Sequence, residues 1–166
     1  MATAGEVLTA LRESLPEVAE KAAGYVGYFQ ADYGIVRIVA RQAGVDEPDF
    51  RTGSGQRSWD SFCGQVSRAM NKLADEGLIV KVSRGDRTPD GYTAKSVRYY
   101  MPDRFAALQA EHKQKQQEHA ETRARWAEVT SKLERIVGPV KVVDHLQRPM
   151  LTLDQWNEIL ESLVTG

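Results

Sequence analysis

The sequence predicts a mainly α-helical protein with one small β-hairpin. Apolar residues recur at spacings of three and four over most of the 166-residue chain, which is the period of an amphipathic helix. Residues 79–101 instead alternate apolar and polar side chains on either side of a Pro-Asp-Gly turn signal. No apolar run approaches the roughly 18 residues that a membrane-spanning helix needs. Together these patterns favour a helical domain that carries a hairpin.

Three helices are expected in the first 44 residues. The first has an apolar stripe that ends at Pro16, and Pro16 can begin a second helix because its missing amide would be unpaired there. This second helix is expected to continue to about Tyr28. The third ends at Gly44, a residue type suited to a helix C-terminus. A polar, glycine-containing loop is then expected over residues 45–57.

The clearest helix signal begins at Ser58, which can cap a helix N-terminus, and ends before Gly77. One face of this helix is apolar and is expected to point inward, with Trp59, Phe62, Val66, Met70 and Leu73 upon it. Residues 79–83 and 96–101 follow with the pattern of strands. They are expected to pair as a hairpin with a long, basic loop.

A sustained heptad runs from Phe105 to Ile136, with apolar residues at its ends and polar ones in its middle. It predicts a long, coiled-coil-like helix that stops at Gly138 and Pro139. A short terminal helix is expected after Thr152, because Thr152 and Gln155 have the spacing of a capping box.

Positive charge is concentrated in the middle third of the chain. The whole chain has a formal net charge of −1. Residues 51–104 carry ten Lys and Arg against six Asp and Glu, which is +4, whereas residues 1–50 carry four against eight, which is −4. Such a concentration is typical of a segment that approaches phosphates.

A long helix, a glycine, a strand, a basic turn and a second strand follow one another over residues 58–102. The stretch SRAMNKLADEGLIVKV, with the later SVRYYMP, resembles the corresponding segment of MarR-like and PadR-like winged-helix regulators. The resemblance covers about 45 residues, 58–102, and implies a winged helix-turn-helix DNA-binding domain, which with the N-terminal helices would span 1–102. The heptad that follows predicts a helical dimerisation region over 103–166. The sequence departs from the family upstream of residue 58, where a glycine-containing loop replaces a short helix, so the first helix of the motif must come from residues 32–43 or an atypical segment.

The residues themselves indicate how such a helix would read DNA. If its apolar face points inward, Arg68 lies on the opposite face, where it can pair with guanine, while Gln65 can pair with adenine and Lys72 can reach a phosphate. The basic turn would contact backbone or minor groove. The predicted DNA-binding set is Arg57, Ser61, Gln65, Arg68, Lys72, Arg84, Arg87 and Lys95.

The heptad has two interpretations. It can form the seam of a homodimer, which suits a protein that reads two half-sites, or it can pack on the last helix with Trp126 near Trp156. His112 and His119 lie two helical turns apart, too far to share one metal ion, and are better explained as polar seam positions. The predicted dimerisation residues are Phe105, Leu108, Trp126, Val129, Leu133 and Ile136.

An enzyme is not indicated. The sequence has no Gly-rich phosphate loop, His145 has no recognisable catalytic context, and Cys63 is the single cysteine, so no catalytic site, metal site or cofactor is expected. The N-terminal stretch lacks the pattern of a secretory signal, so a cytoplasmic location without a membrane partner is expected.

The expected function is that of a dimeric, sequence-specific double-stranded DNA-binding protein. It would most simply be a transcriptional repressor of bacterial or phage type. The sequence does not show whether a small-molecule effector exists. Two alternatives remain open, a winged-helix adaptor that binds protein and an accessory factor for DNA replication or recombination.

Overall fold

The computed structural model describes residues 2–24, 27–47 and 53–165. Within these ranges the chain forms five α-helices and four short strands. It divides into two compact units, Met1–Ala110 and Glu111–Gly166. The predicted class, mainly helical with a small antiparallel hairpin and one long helix, is confirmed.

Helix α1 spans Ala4–Ala23 without interruption, so the predicted break at Pro16 is wrong. A proline inside a helix costs roughly 3 kcal/mol. Here the buried stripe passes the proline, with Leu11 and Val18 each fully buried on either side and Pro16 itself exposed to solvent. Because burial of each such side chain contributes about 1.5–3 kcal/mol, packing outweighs the lost hydrogen bond.

Helix α2 spans Tyr33–Gln42 and confirms the third expected helix. The Asp32 carboxylate caps its start by accepting hydrogen bonds from the amides of Gly34 and Ile35, at 2.9 and 3.0 Å. Gly44 follows its end at φ +64°, a backbone conformation that favours glycine.

Helix α3 spans Gly53–Asp75 and begins five residues before the predicted Ser58. Ser58 is therefore an interior residue and not the N-cap, and residues 53–57 of the predicted loop are helical. Residues 48–52 of that loop lie outside the described residues. Burial of Trp59 and Phe62 stabilises the helix after its first turns. Extension toward the N-terminus then has a small free-energy cost, because each residue added to an existing helix gains a hydrogen bond.

The inward face of α3 is confirmed, since all five predicted apolar side chains are buried and Ala69 joins them. Gly77 ends the helix region at φ +76°, and the Leu78 amide donates to the Leu73 carbonyl at 3.0 Å. These residues share one core with the apolar faces of α1 and α2.

The hairpin is confirmed as an antiparallel pair of β1, Val80–Val82, and β2, Arg98–Tyr100. Phe29, in the segment between α1 and α2, adds a bridge at the free edge of β2. Its amide donates to the Tyr99 carbonyl at 2.8 Å, and the Tyr99 amide donates back at 2.9 Å. A second small cluster, formed by Val82, Ala94 and Tyr100, lies at the hairpin.

Helix α4, Pro102–Val137, confirms the long helix and ends at Gly138, where φ is +75°. The short strands β3, Lys141–Val142, and β4, Pro149–Met150, pair antiparallel. Helix α5, Leu153–Thr165, begins with the predicted capping box, in which Thr152 and Gln155 exchange hydrogen bonds of 3.0 and 3.2 Å. No described helix combines the length and apolar character needed to cross a membrane.

Candidate nucleic-acid interface

The outer face of α3 is polar and open to solvent. Ser61, Arg68 and Lys72 are exposed on it, as predicted from the spacing. Arg57 is also exposed, but it lies within the helix and not beside its N-terminus. Arg57, Ser61 and Arg68 follow one another at spacings of four and seven, so they form one line along the side opposite the core.

Gln65 lies at the edge of this face and is half-buried, whereas Arg68 is exposed. Both residues, with Lys72, line a groove between α3 and the first turns of α1 that also includes Ala4, Gly5 and Leu8. The Gln65 Oε1 is buried and accepts no hydrogen bond. Because that oxygen faces the protein, Gln65 would have to rotate to pair with an adenine.

The opposite flank of α3 is joined to the hairpin. The Tyr99 hydroxyl donates a hydrogen bond of 3.1 Å to Oδ1 of Asn71. Burial raises the pKa of Tyr99, so the phenol keeps the proton with which it donates. The Tyr99 ring also stacks on Phe29, with ring centroids 6.0 Å apart. The hairpin is therefore joined to α3 by a hydrogen bond and to the segment between α1 and α2 by an aromatic contact.

The loop between β1 and β2 is folded upon itself. The Gly85 amide donates to the Ala94 carbonyl, and both the amide and the hydroxyl of Thr88 donate to the Tyr92 carbonyl, all at 2.8 Å. Thr88, Pro89 and Ala94 are buried. Gly85 is one of two glycines in the loop that adopt positive φ, at +93°. The long predicted turn is thus an ordered structure.

The basic residues of this loop point outward. Arg84, Arg87 and Lys95 are all exposed. Arg87 also donates from its guanidinium to the Gly91 carbonyl at 3.2 Å, which holds the end of its side chain near the turn. Tyr92, which the sequence reasoning did not select, is 71% exposed at the tip of the loop. The sequence feature that could have selected Tyr92 is its position directly after the Pro-Asp-Gly turn. An aromatic side chain at the tip of a turn does not contribute to a core.

A further cation lies at the base of the hairpin. The Arg98 guanidinium stands over the Tyr28 ring, 4.2 Å from its centroid, and its Nε is buried without a hydrogen-bond partner. Burial raises the pKa of the Tyr100 phenol, while the Arg98 side chain opposes that rise. Arg98 is half-buried, so its charge adds to the positive field of the hairpin without projecting from it.

The cations of the interface differ from the three arginines of the first fifty residues, each of which forms an ion pair. Arg12 pairs with Glu76, Arg37 with Glu47 and Arg41 with Glu17. In the part of the chain that the structure describes, no ion pair is formed by the predicted DNA-binding cations, which are Arg57, Arg68, Lys72, Arg84, Arg87 and Lys95. Their charge is therefore free to attract an anionic partner.

The predicted dimerisation residues fall into three groups. Phe105 and Leu108 pack against the hairpin cluster, with the Phe105 and Tyr100 rings 5.5 Å apart, so they do not lie on a free seam. Trp126 and Leu133 are half-buried within the C-terminal unit. Val129 and Ile136 are exposed, at 39% and 45%.

One histidine of the heptad contacts the third histidine of the chain, which lies outside the heptad. The rings of His119, on α4, and His145, in the turn between β3 and β4, lie edge to face with centroids 5.8 Å apart. Among the described residues, no group of three or more His, Cys, Asp or Glu side chains is placed to hold a metal ion. Burial raises the pKa of the Cys63 thiol, so at neutral pH it is a protonated, half-buried packing residue.

Comparison of the chain with protein-family models, with curated proteins and with solved structures gives no match.

Proposed function

We propose that the chain is a sequence-specific double-stranded DNA-binding protein of winged-helix architecture that acts in the cytoplasm as a homodimeric transcriptional regulator, most simply a repressor. The observation that carries this proposal is the set of unpaired cations on the outer face of α3 and on the hairpin beside it. Phosphates attract such a set, and a helix of this kind fits the major groove.

The order of elements supports the winged-helix assignment. Helices α1, α2 and α3 share one core, and the hairpin follows α3 directly. In this arrangement α2 and α3 serve as the two helices of a helix-turn-helix, α3 enters the groove, and the hairpin flanks it as the wing.

Each residue of the interface has a distinct role. Arg68 reads a guanine, because a guanidinium at the centre of the exposed face can make a bidentate contact to the base edge. Arg57 and Lys72, toward the two ends of that face, contact phosphates, and Ser61 approaches the groove between them. The wing residues Arg84, Arg87 and Lys95 contact the backbone or the minor groove. Gln65 has no role in base reading.

A selection of bound sequences from a random DNA pool tests the proposal. We expect a defined site, and an inverted repeat within it would show that two chains bind together. On that site, Arg68→Ala should weaken binding by about 1–3 kcal/mol, the usual value of one base contact, with its circular dichroism spectrum unchanged. Arg41→Ala is the matched control, since it removes the same charge from a surface where Glu17 already neutralises it. Equal losses in the two variants, or no enriched sequence, would refute the proposal.

A second candidate is a protein-binding adaptor. It is favoured by the apolar side chains that the C-terminal unit exposes, among them Leu153 at 76% and Leu163 at 73%. A DNA-binding protein should bind duplex DNA more tightly as the salt concentration is lowered, and an adaptor should not. A salt titration with duplex DNA therefore separates the two functions.

A further inference from the structure

The C-terminal unit exposes apolar surface that it does not cover itself. Among its described side chains, only Thr130 is buried, and it is a polar residue that is 9% exposed. Several of its large apolar side chains are exposed to between 39% and 76%. Exposed apolar surface of this kind is typical of a site that binds another protein. These side chains are Val129, Ile136, Val142, Val143, Met150, Leu153, Trp156, Leu160 and Leu163.

Two helices of this unit carry apolar stripes of the same period. On α5 the stripe is Leu153, Trp156, Leu160 and Leu163, at spacings of three, four and three, and every member is more than half exposed. On α4 the stripe is Trp126, Val129, Leu133 and Ile136, with the same spacings. Helices whose apolar residues alternate in this way pack lengthwise, with the side chains of one between those of the other.

Two pairings of the stripes are conceivable, α5 on α4 and α5 on α5. Charge favours the first. Helix α5 carries Asp154, Glu158 and Glu161 and no basic residue. Residues 122–137 of α4 carry four Lys and Arg against two Glu. Two α5 helices face to face would bring like charges together, whereas α5 against α4 brings opposite charges together.

The exposed side chains of the two stripes offer nearly the area of a standard interface. A large side chain offers roughly 200 Å² when fully exposed, so the six exposed members of the two stripes present on the order of 700 Å². A standard interface buries about 800 Å² on each partner. The polar middle of α4, residues 113–121, is exposed throughout and offers no such surface.

We propose that α5 of one chain packs on the α4 stripe of a second copy, and that the second copy returns the same contact. The interface is then isologous, with each stripe meeting its complement about a twofold axis. This assignment rests on the homodimer in the proposed function, but it is independent of whether the dimer binds DNA.

Mass measurement by light scattering tests the surface. The measured mass of the wild-type protein should be twice that of one chain. Leu160→Glu should weaken self-association at least about 100-fold, because it would bury a charge in the seam. Ser162→Glu adds the same charge to the other side of α5 and should leave the dimer intact. A monomeric wild-type chain would overturn the proposal, as would a Leu160→Glu chain that remains dimeric.

Cysteine cross-linking tests the pairing of the stripes. With Cys63→Ser as background, chains carrying Leu160→Cys and chains carrying Val129→Cys are oxidised separately and after mixing. We expect covalent dimers in the mixture and neither chain cross-linking alone. Efficient cross-linking of Leu160→Cys alone would overturn the exchange in favour of α5 against α5, and no cross-linking in a dimeric mixture would overturn it too.

DNA binding is measured on the same samples. If Leu160→Glu abolishes the dimer while no sample binds DNA, the interface stands and the proposed function fails. If the wild-type chain binds a selected site as a dimer that Leu160→Glu does not disturb, the function stands and the interface assignment fails.

Discussion

If the chain binds DNA as we propose, the salt dependence of that binding follows from the number of unpaired cations in the interface. Six such residues are exposed on α3 and the wing. If Arg68 contacts a base, five remain to contact phosphates in each half-site. Each phosphate contact contributes about −0.9 to the slope of log affinity against log salt concentration, so a half-site should show a slope of about −4.5. Affinity should then fall about 500-fold between 50 and 200 mM salt.

Removing one phosphate contact changes that slope by a defined amount. Lys95→Ala should reduce the slope to about −3.6 per half-site, because one counterion fewer is released on binding. Fluorescence anisotropy with a labelled duplex, titrated at four or more salt concentrations, measures it. Arg41→Ala, outside the interface and paired with Glu17, should leave the slope unchanged. If Lys95→Ala leaves the slope at the wild-type value, or both variants change it equally, the reasoning that the wing contacts phosphates is refuted.

Three further predictions concern the support of the interface. Tyr99→Phe removes the hydrogen bond to Asn71 and should lower the free energy of unfolding by about 1 kcal/mol and speed amide exchange in the hairpin; equal exchange rates in the two proteins would contradict it. Gln65→Leu should change DNA affinity by less than about 1 kcal/mol, the lower value of a base contact, and a larger loss would restore Gln65 as a reader. Met70→Ala, at a fully buried site, should lower the free energy of unfolding by about 2–5 kcal/mol in a urea titration, and a loss below about 1 kcal/mol would contradict the packing of α3.

The elements that the sequence predicted well are those whose local pattern agrees with their packing. The inward face of α3 follows from side chains such as Val66 and Leu73, whose spacing already places them on one side. The hairpin follows from alternation and turn chemistry together. In both cases burial strengthened a preference that the chain already had locally.

The errors arose where contacts distant in sequence decide the outcome. Pro16 was expected to divide a helix, because its local cost is visible in the sequence while the core that outweighs it is not. Gln65 and Arg68 are three residues apart on one helix and line the same groove beside α1, yet Gln65 is half-buried and Arg68 is exposed, a difference that depends on the position of α1. Phe105 fits a heptad, but its side chain packs against the hairpin cluster.

The ordered loop of the hairpin separates its shape from its surface chemistry. The loop is fixed by backbone hydrogen bonds and by Gly85 and Gly91, both at positive φ, while Arg84, Tyr92 and Lys95 project from it. Exchanges at these three outward positions should therefore leave the loop conformation unchanged. The loop is in this sense a fixed frame with replaceable side chains, so that, if it contacts DNA as proposed, the preferred site could be altered there without redesigning the fold.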